Sequence, residues 1–355
     1  MRAQRLGQIV VSAALAGCFG LFGCRNEADS PPAGDDAAKS APPPARAEIG
    51  REAIEAALAA ANEYVNSQNL VEAELILEEL IEKAPRDVRA RELMGQVLII
   101  KATQAQRRGD EAAAEAARRE ACEHYEAAVE IEPDSAGLRH STAMVALAAG
   151  DDEAALTQFE EAGRLDPTNP QHPLYAAQIL IQQQRFDAAR ERLRRVIELD
   201  ADEPLAHASL AMIALEEGDF EEALGRIGRA RRLAPDDLRF RVQEARIHRR
   251  RGDVQRSLQL LTALSDAQRA EPGVTFELAA AYDELGEQEK AAEAWAHRYR
   301  QRPTDPQAYI AAVRAGEAYL RAGHRAAAEL WLEQARIAGG NAPEIRELER
   351  ALAGG

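Results

Sequence analysis

Apolar residues recur at intervals of three and four in runs of about a dozen positions between residues 54 and 342, and each run ends at a residue suited to stopping a helix. From Ala136 to Asp305 the stops fall on one grid. Gly150, Gly218, Gly252 and Gly286 lie on a 34-residue spacing, with Gln184 at the remaining point. Ala155, Ala189, Ala223 and Ala291 follow five residues behind that grid, with Ser257 in the fifth place. Pro167, Pro235 and Pro303 close alternate periods, and Pro133 stands one period upstream. Each period predicts two helices and no strand. The glycine ends the first helix in a left-handed conformation, and the proline follows the second, where it cannot extend the hydrogen-bond ladder. Alanine on the second helix allows close approach to the first, and the larger residue four positions on (Phe159, Leu193, Ile227, Leu261 or Trp295) fills the space beside it. The predicted unit is an antiparallel helical hairpin, stacked in copies.

The order Leu278-Ala279, Tyr282, Gly286, Ala291, Trp295 and Pro303 resembles the tetratricopeptide repeat family. The resemblance extends outward through Ala61, Tyr64, Ala73, Leu77 and Pro85 in residues 54–87, and through Gly316, Tyr319, Gly323, Ala328 and Leu332 in residues 309–342. It implies an all-α fold, a right-handed superhelical solenoid of about eight hairpins over residues 49–342, and it implies a binding scaffold, not a reaction. Two departures are expected. The second unit, residues 88–135, is longer than the period by fourteen residues, with its turn at Gly109, which predicts two extra turns on each helix and an extension around Ala102 to Arg118. Near the end, three residues are inserted around Pro303 to Pro306. Residues 343–355 predict a polar capping helix and tail over the last apolar face.

The first 48 residues do not share the period. Arg2 and Arg5 precede an apolar segment, Leu6 to Gly17, too short to span a bilayer and ending in Leu15-Ala16-Gly17-Cys18. This resembles a bacterial lipoprotein signal, which implies cleavage after residue 17 and lipidation of Cys18; Leu21-Phe22-Gly23-Cys24 offers the alternative, with a signal of residues 1–23 and lipid on Cys24. An ordinary cleaved signal, or an uncleaved anchor over Leu6 to Cys24, are the competing interpretations. Residues 18–48 then form an acylated N-terminus and a tether rich in Pro, Ala and Asp. The resemblance implies the bacterial cell envelope: a lipid anchor on a membrane facing the periplasm, the outer membrane in preference to the inner.

Composition narrows the function. A formal charge of −16 opposes general binding to nucleic acid, and 5% aromatic content suits a thin extended core better than a thick globular one. The seven histidines show no metal-ligand spacing, no phosphate-binding or nucleophile motif occurs, and neither metal nor cofactor is expected. Cys122, the remaining cysteine, reads as a packed thiol. If the family's geometry holds, the first helices line a concave surface carrying His140, Met144, Leu147, Gln178, Ile181, Gln182, Met212 and Leu215, followed by Arg239, Arg246, Arg249 and Arg250. That strip would suit a protein or peptide partner with an acidic end. Internal pairing of the arginines with Glu216, Asp283 and Glu284 is the competing explanation. The basic and amide residues with which some relatives clamp a C-terminal carboxylate are not reproduced, Asn62 standing alone. A dedicated accessory subunit of an export, pilus or polysaccharide-secretion complex is the alternative to a general scaffold, and an enzyme is not expected.

Overall fold

The structure is a computed structural model, and it describes residues 49–301, 303 and 308–354. The signal, both N-terminal cysteines and the tether lie outside the described residues. So does most of the expected insertion near Pro303. Among the described residues there are eighteen helices and no strand. The chain divides into two compact units, Met1–Leu199 and Asp200–Gly355.

The first unit holds four hairpins. They pair α1 (Arg51–Asn66) with α2 (Leu70–Lys83), α3 (Val88–Arg107) with α4 (Glu111–Ile131), α5 (Ala136–Ala149) with α6 (Asp152–Leu165), and α7 (Gln171–Gln182) with α8 (Phe186–Leu199). The helices α3 and α4 have 20 and 21 residues, against 14 in α5 and in α6. Ala102, Ala105 and Ala114 are buried in the added turns, so the extension has its own alanine seam.

The second unit continues with α9 (Pro204–Glu217) and α10 (Phe220–Leu233), then α11 (Leu238–Arg251) with α12 (Val254–Thr262) and the short α13 (Asp266–Arg269). It ends with α14 (Pro272–Leu285) and α15 (Gln288–Gln301), α16 (Ala308–Arg321) and α17 (Arg325–Gly339), and the terminal α18 (Pro343–Gly354). Ile345, Leu348 and Leu352 of α18 are buried with the apolar residues of α16 and α17. Gly316 lies directly against this helix: a Cβ there would stand 2.6 Å from Leu348 Cδ2, and the leucine would have to shift.

The grid corresponds to specific contacts. Ala73, Ala121, Ala155, Ala189, Ala223, Ala291 and Ala328 are all fully buried, as is Ser257. Gly150, Gly218, Gly252 and Gly286 have φ between 75° and 97°. Gln184, at the grid point without a glycine, is forced into the same region at φ 60°, and Gln68 of the first turn joins it at φ 61°. In three hairpins the residue after the turn then caps the second helix. Asp110, Asp151 and Asp219 each accept a backbone N–H three positions ahead.

One hairpin departs from the expected pattern. Its second helix was expected to run about a dozen residues, but α12 stops after nine, at Thr262. The grid position of the closing proline is occupied by Arg269. Its guanidinium donates to the carbonyls of Thr262 at 2.8 Å and Leu264 at 3.0 Å, satisfying acceptors that the broken helix leaves open. Ser265 and Gln268 form a capping box that starts α13.

Two outcomes test this register. Ala223→Leu places three extra carbons in a fully buried seam and is expected to cost about 1–3 kcal/mol by overpacking; thermal unfolding identical to the parent would show that Ala223 does not face the seam. Gln184→Gly removes the Cβ from a left-handed residue and is expected to stabilise by about 0.5–1 kcal/mol, read as a raised urea midpoint.

Candidate functional site: the first-helix surface

The residues predicted for a groove occupy repeated register points, and each point has its own environment. Leu147, Ile181, Leu215 and Arg249 are equivalent, spaced by 34. This point turns into the packing. Ile181 is 8% exposed, Leu215 is 2% exposed, and Arg249 is mostly buried. Ile181 and Leu215 therefore have little surface left for a ligand, contrary to the expectation from the sequence; their side chains are spent on the core. Met144, Gln178, Met212 and Arg246 share a second point and are half-buried in every case. Gln182 and Arg250 share a third point and are exposed, as is Arg239 near the start of α11.

His140 also belongs to the interior. Its Nδ1 lies 3.1 Å from Nδ1 of His172, and its ring meets Phe159 and Tyr175 edge-on at 5.2 and 5.5 Å. Nε2 of His172 is buried without a partner. The proton between the rings therefore belongs on Nδ1 of His172, since a stranded lone pair costs less than a stranded N–H. Burial, reinforced by the neighbouring ring of His172, pushes His140 down to about 4, and burial lowers His172 as well. Both rings are thus neutral at pH 7 and serve as packing groups.

The arginine cluster of α11 resolves into ion pairs within the second unit. Arg246 Nε donates to Glu277 Oε1 at 2.5 Å, and Arg249 Nε donates to Glu277 Oε2 at 3.0 Å. Arg249 reaches Glu284 with its other arm. Arg250 sits 3.7 Å from Glu216, and Arg239 pairs with Asp237 at 2.6 Å. The carboxylate at the centre, Glu277 on α14, has no exposed surface. It was not among the acids expected to balance the arginines. Asp283, which was, instead accepts from Trp295 Nε1 at 2.9 Å and from Arg321 at 2.6 Å. Glu277 follows the polar series Ser141, Tyr175, Ser209 and Gln243 at one register point, a signal available from the repeat alignment but readable only once α11 and α14 are known to touch.

The arrangement is one of binding and packing groups. Among the described residues no three His, Cys, Asp or Glu side chains converge to hold a metal. Cys122 is half-buried, and burial, aided by Glu126 and Asp151, raises its thiol above the ordinary value. That shift keeps it protonated and a poor nucleophile. Asn62 donates to the Leu58 carbonyl of its own helix.

A buried carboxylate between two arginines makes a sharp prediction. Replacing Arg246 and Arg249 together by Met strands the Glu277 charge and is expected to cost about 3–5 kcal/mol, whereas adding Glu277→Met should recover most of that loss. Urea unfolding of the double and triple variants checks it; a triple variant no more stable than the double would show that charge burial is not the cause.

Two segments, residues 146–213 and 242–306, match models of the tetratricopeptide repeat family. No curated protein matches the chain by sequence. Among solved structures the chain is similar to a tetratricopeptide repeat protein from Parabacteroides merdae ATCC 43184, with 17% identity and a TM-score of 0.54 over 84% of this chain and 98% of that one. It is similar also to the Cut9-Hcn1 hetero-tetramer of the APC/C (15% identity, TM-score 0.54, covering 83% of this chain and 55% of that one) and to yeast Tom70 (17%, 0.55, 81% and 58%). At these identities the likeness is one of fold. Over residues 146–213 and 242–306 the chain is thus similar to the tetratricopeptide repeat family, within an all-α fold of stacked hairpins.

Proposed function

We propose that the chain is an envelope lipoprotein whose tetratricopeptide hairpins hold a protein partner, acting by binding and not by catalysis. The observation that carries the reading is the pair of family matches, since stacked hairpins of this kind present extended surfaces and no reaction centre. Support for the anchor comes from the run Leu15-Ala16-Gly17-Cys18, with Cys24 as the second candidate. No helix among the described residues is long and apolar enough to cross a membrane, so on this reading acyl chains make the attachment. The net negative charge adds no attraction to anionic head groups.

In the first unit the first-helix side chains with area to offer are Met144, Leu147, Gln178 and Gln182; in the second unit they are Met212, Arg239 and Arg250. The two exposed arginines suit an acidic segment of a partner. Arg246 and Arg249 are engaged by the buried Glu277.

The test uses membranes and the full chain. Mass analysis of the mature protein should find a diacylated or triacylated N-terminal cysteine, and Cys18→Ala with Cys24→Ala should release the protein into the soluble fraction. A doubly substituted protein that stays membrane-bound and unprocessed would overturn the anchor. In pull-downs from the same membranes, Arg239→Ala with Arg250→Ala should leave melting unchanged and reduce partner yield, with a loss that shrinks as salt rises. Equal yields at all salt concentrations would remove the acidic-partner reading.

A further inference from the structure

Five large apolar side chains are exposed among the described residues, and three of them lie in the first hairpin: Tyr64 at 37%, Val71 at 62% and Leu75 at 59%. Val71 and Leu75 are four apart on α2, on the side opposite the buried Leu70, Ala73, Leu77 and Leu80. The repeat supplies its own control for these positions. Two residues before the seam alanine, where α2 has Val71, the next six hairpins carry Arg119, Glu153, Asp187, Glu221, Gln255 and Glu289. Two residues after it, where α2 has Leu75, they carry Glu123, Thr157, Glu191, Gly225, Gln259 and Glu293. All twelve are exposed. The fold thus uses both positions as solvent positions, and nothing in hairpin packing calls for a valine or a leucine there.

The charge around the pair says what would cover it. Glu78 and Glu82 continue the same face at the following turns, and Glu72 flanks it. All three are exposed, and no ion pair among the described residues holds any of them. The one cation on α2, Lys83, is engaged by Glu79. The last hairpin provides the contrast. Its exposed Leu330 and Ile337, at 61% and 70%, stand beside carboxylates that are already paired, Glu329 with Arg325, and Glu333 and Glu349 with Arg336. Apolar area beside unbalanced carboxylate fits a helix with an apolar stripe flanked by Lys and Arg. It does not fit an anionic lipid surface, which those carboxylates would repel.

We propose that the outer face of α2, built on Val71 and Leu75 with Glu72, Glu78 and Glu82 around them, is a docking surface for a basic amphipathic helix of a protein partner. The assignment rests on the reading of the chain as a protein-binding scaffold and is separate from the first-helix surface and from the anchor.

The experiment uses the full chain in detergent and a 15-residue amphipathic peptide of leucine and lysine, with binding followed by fluorescence anisotropy. Val71→Gln with Leu75→Gln installs the residues that the sixth hairpin carries at the same positions, so folding is retained; circular dichroism verifies this. Binding is expected to weaken at least tenfold. Glu78→Gln with Glu82→Gln should weaken it about threefold and flatten its salt dependence, while Glu123→Gln with Glu191→Gln, exposed carboxylates elsewhere, should leave it unchanged. The proposal is overturned by a parent that does not bind, by equal binding of a leucine and glutamate peptide, or by remote carboxylates mattering as much as those of α2. Two further results assign the face to another occupant and overturn it also: tenfold tighter binding when residues 25–48 are replaced by a Gly/Ser linker, which identifies the chain's own segment, or a change of oligomeric state in the Val71→Gln, Leu75→Gln protein, which identifies a second copy. A parent that ignores the peptide yet still captures its envelope partner in pull-downs would sink this assignment and leave the scaffold reading intact.

Discussion

A fully buried small residue at the same point of each hairpin, alanine in seven and Ser257 in the sixth, sets how closely two helices approach, and the rest of the array follows from that distance. A methyl group is enough to exclude water from the seam and too small to separate the backbones, so the larger residue one turn further on, such as Phe159, Leu193 or Ile227, can sit beside it fully buried or nearly so. A hairpin built this way buries one side of each helix and leaves apolar residues on its flank. A further helical element has to cover them, which is why the unit repeats and why α16 with α17 is covered by α18. Low aromatic content is a consequence: each seam is one side chain deep.

The turn obeys a second local constraint. With helices of fourteen residues and only two or three residues between them, the chain must reverse at one left-handed residue, and glycine takes that conformation without a Cβ clash. Gln68 and Gln184 show that the geometry prevails even when the residue is unsuitable. Two such turns are tolerated because the surrounding apolar contacts outweigh a local cost of about 1 kcal/mol each.

These two constraints are local in sequence, and for that reason they were legible in it. A buried alanine, a positive-φ glycine and a closing proline each act within one turn of chain, so spacing alone locates them. The lengthened helices α3 and α4 were visible for the same reason, as a shift of Gly109 against a fixed grid. What escaped notice was long-range or substitutive. Glu277 is an ordinary polar position until α11 lies against α14, and only then does its burial between Arg246 and Arg249 follow. Arg269 replaces a proline and ends a helix by a different means, with its guanidinium on two carbonyls, which composition does not announce. Ile181 and Leu215 were expected on an open surface because they sit on the first helices, yet their register point is the one that faces the packing.

Surface and core are properties of a register point, so each residue can be judged against its equivalents in the other hairpins of the same chain. Leu147, Ile181 and Leu215 are the apolar occupants of one point, and Arg249 takes the same place with a charge, which its partners Glu277 and Glu284 then have to neutralise. At this point α9 gives an apolar contribution, with Leu215 in one buried cluster with Phe240 and Ile247 of α11, whereas α11 meets α14 through ion pairs. An ionic contact is more exacting: the oxygens of Glu277 need donors at hydrogen-bond distance, whereas a leucine tolerates a shifted neighbour. The hairpins joined by Glu277 are therefore the ones whose relative register is most tightly set. That happens where the adjoining second helix is shortest, α12 with nine residues.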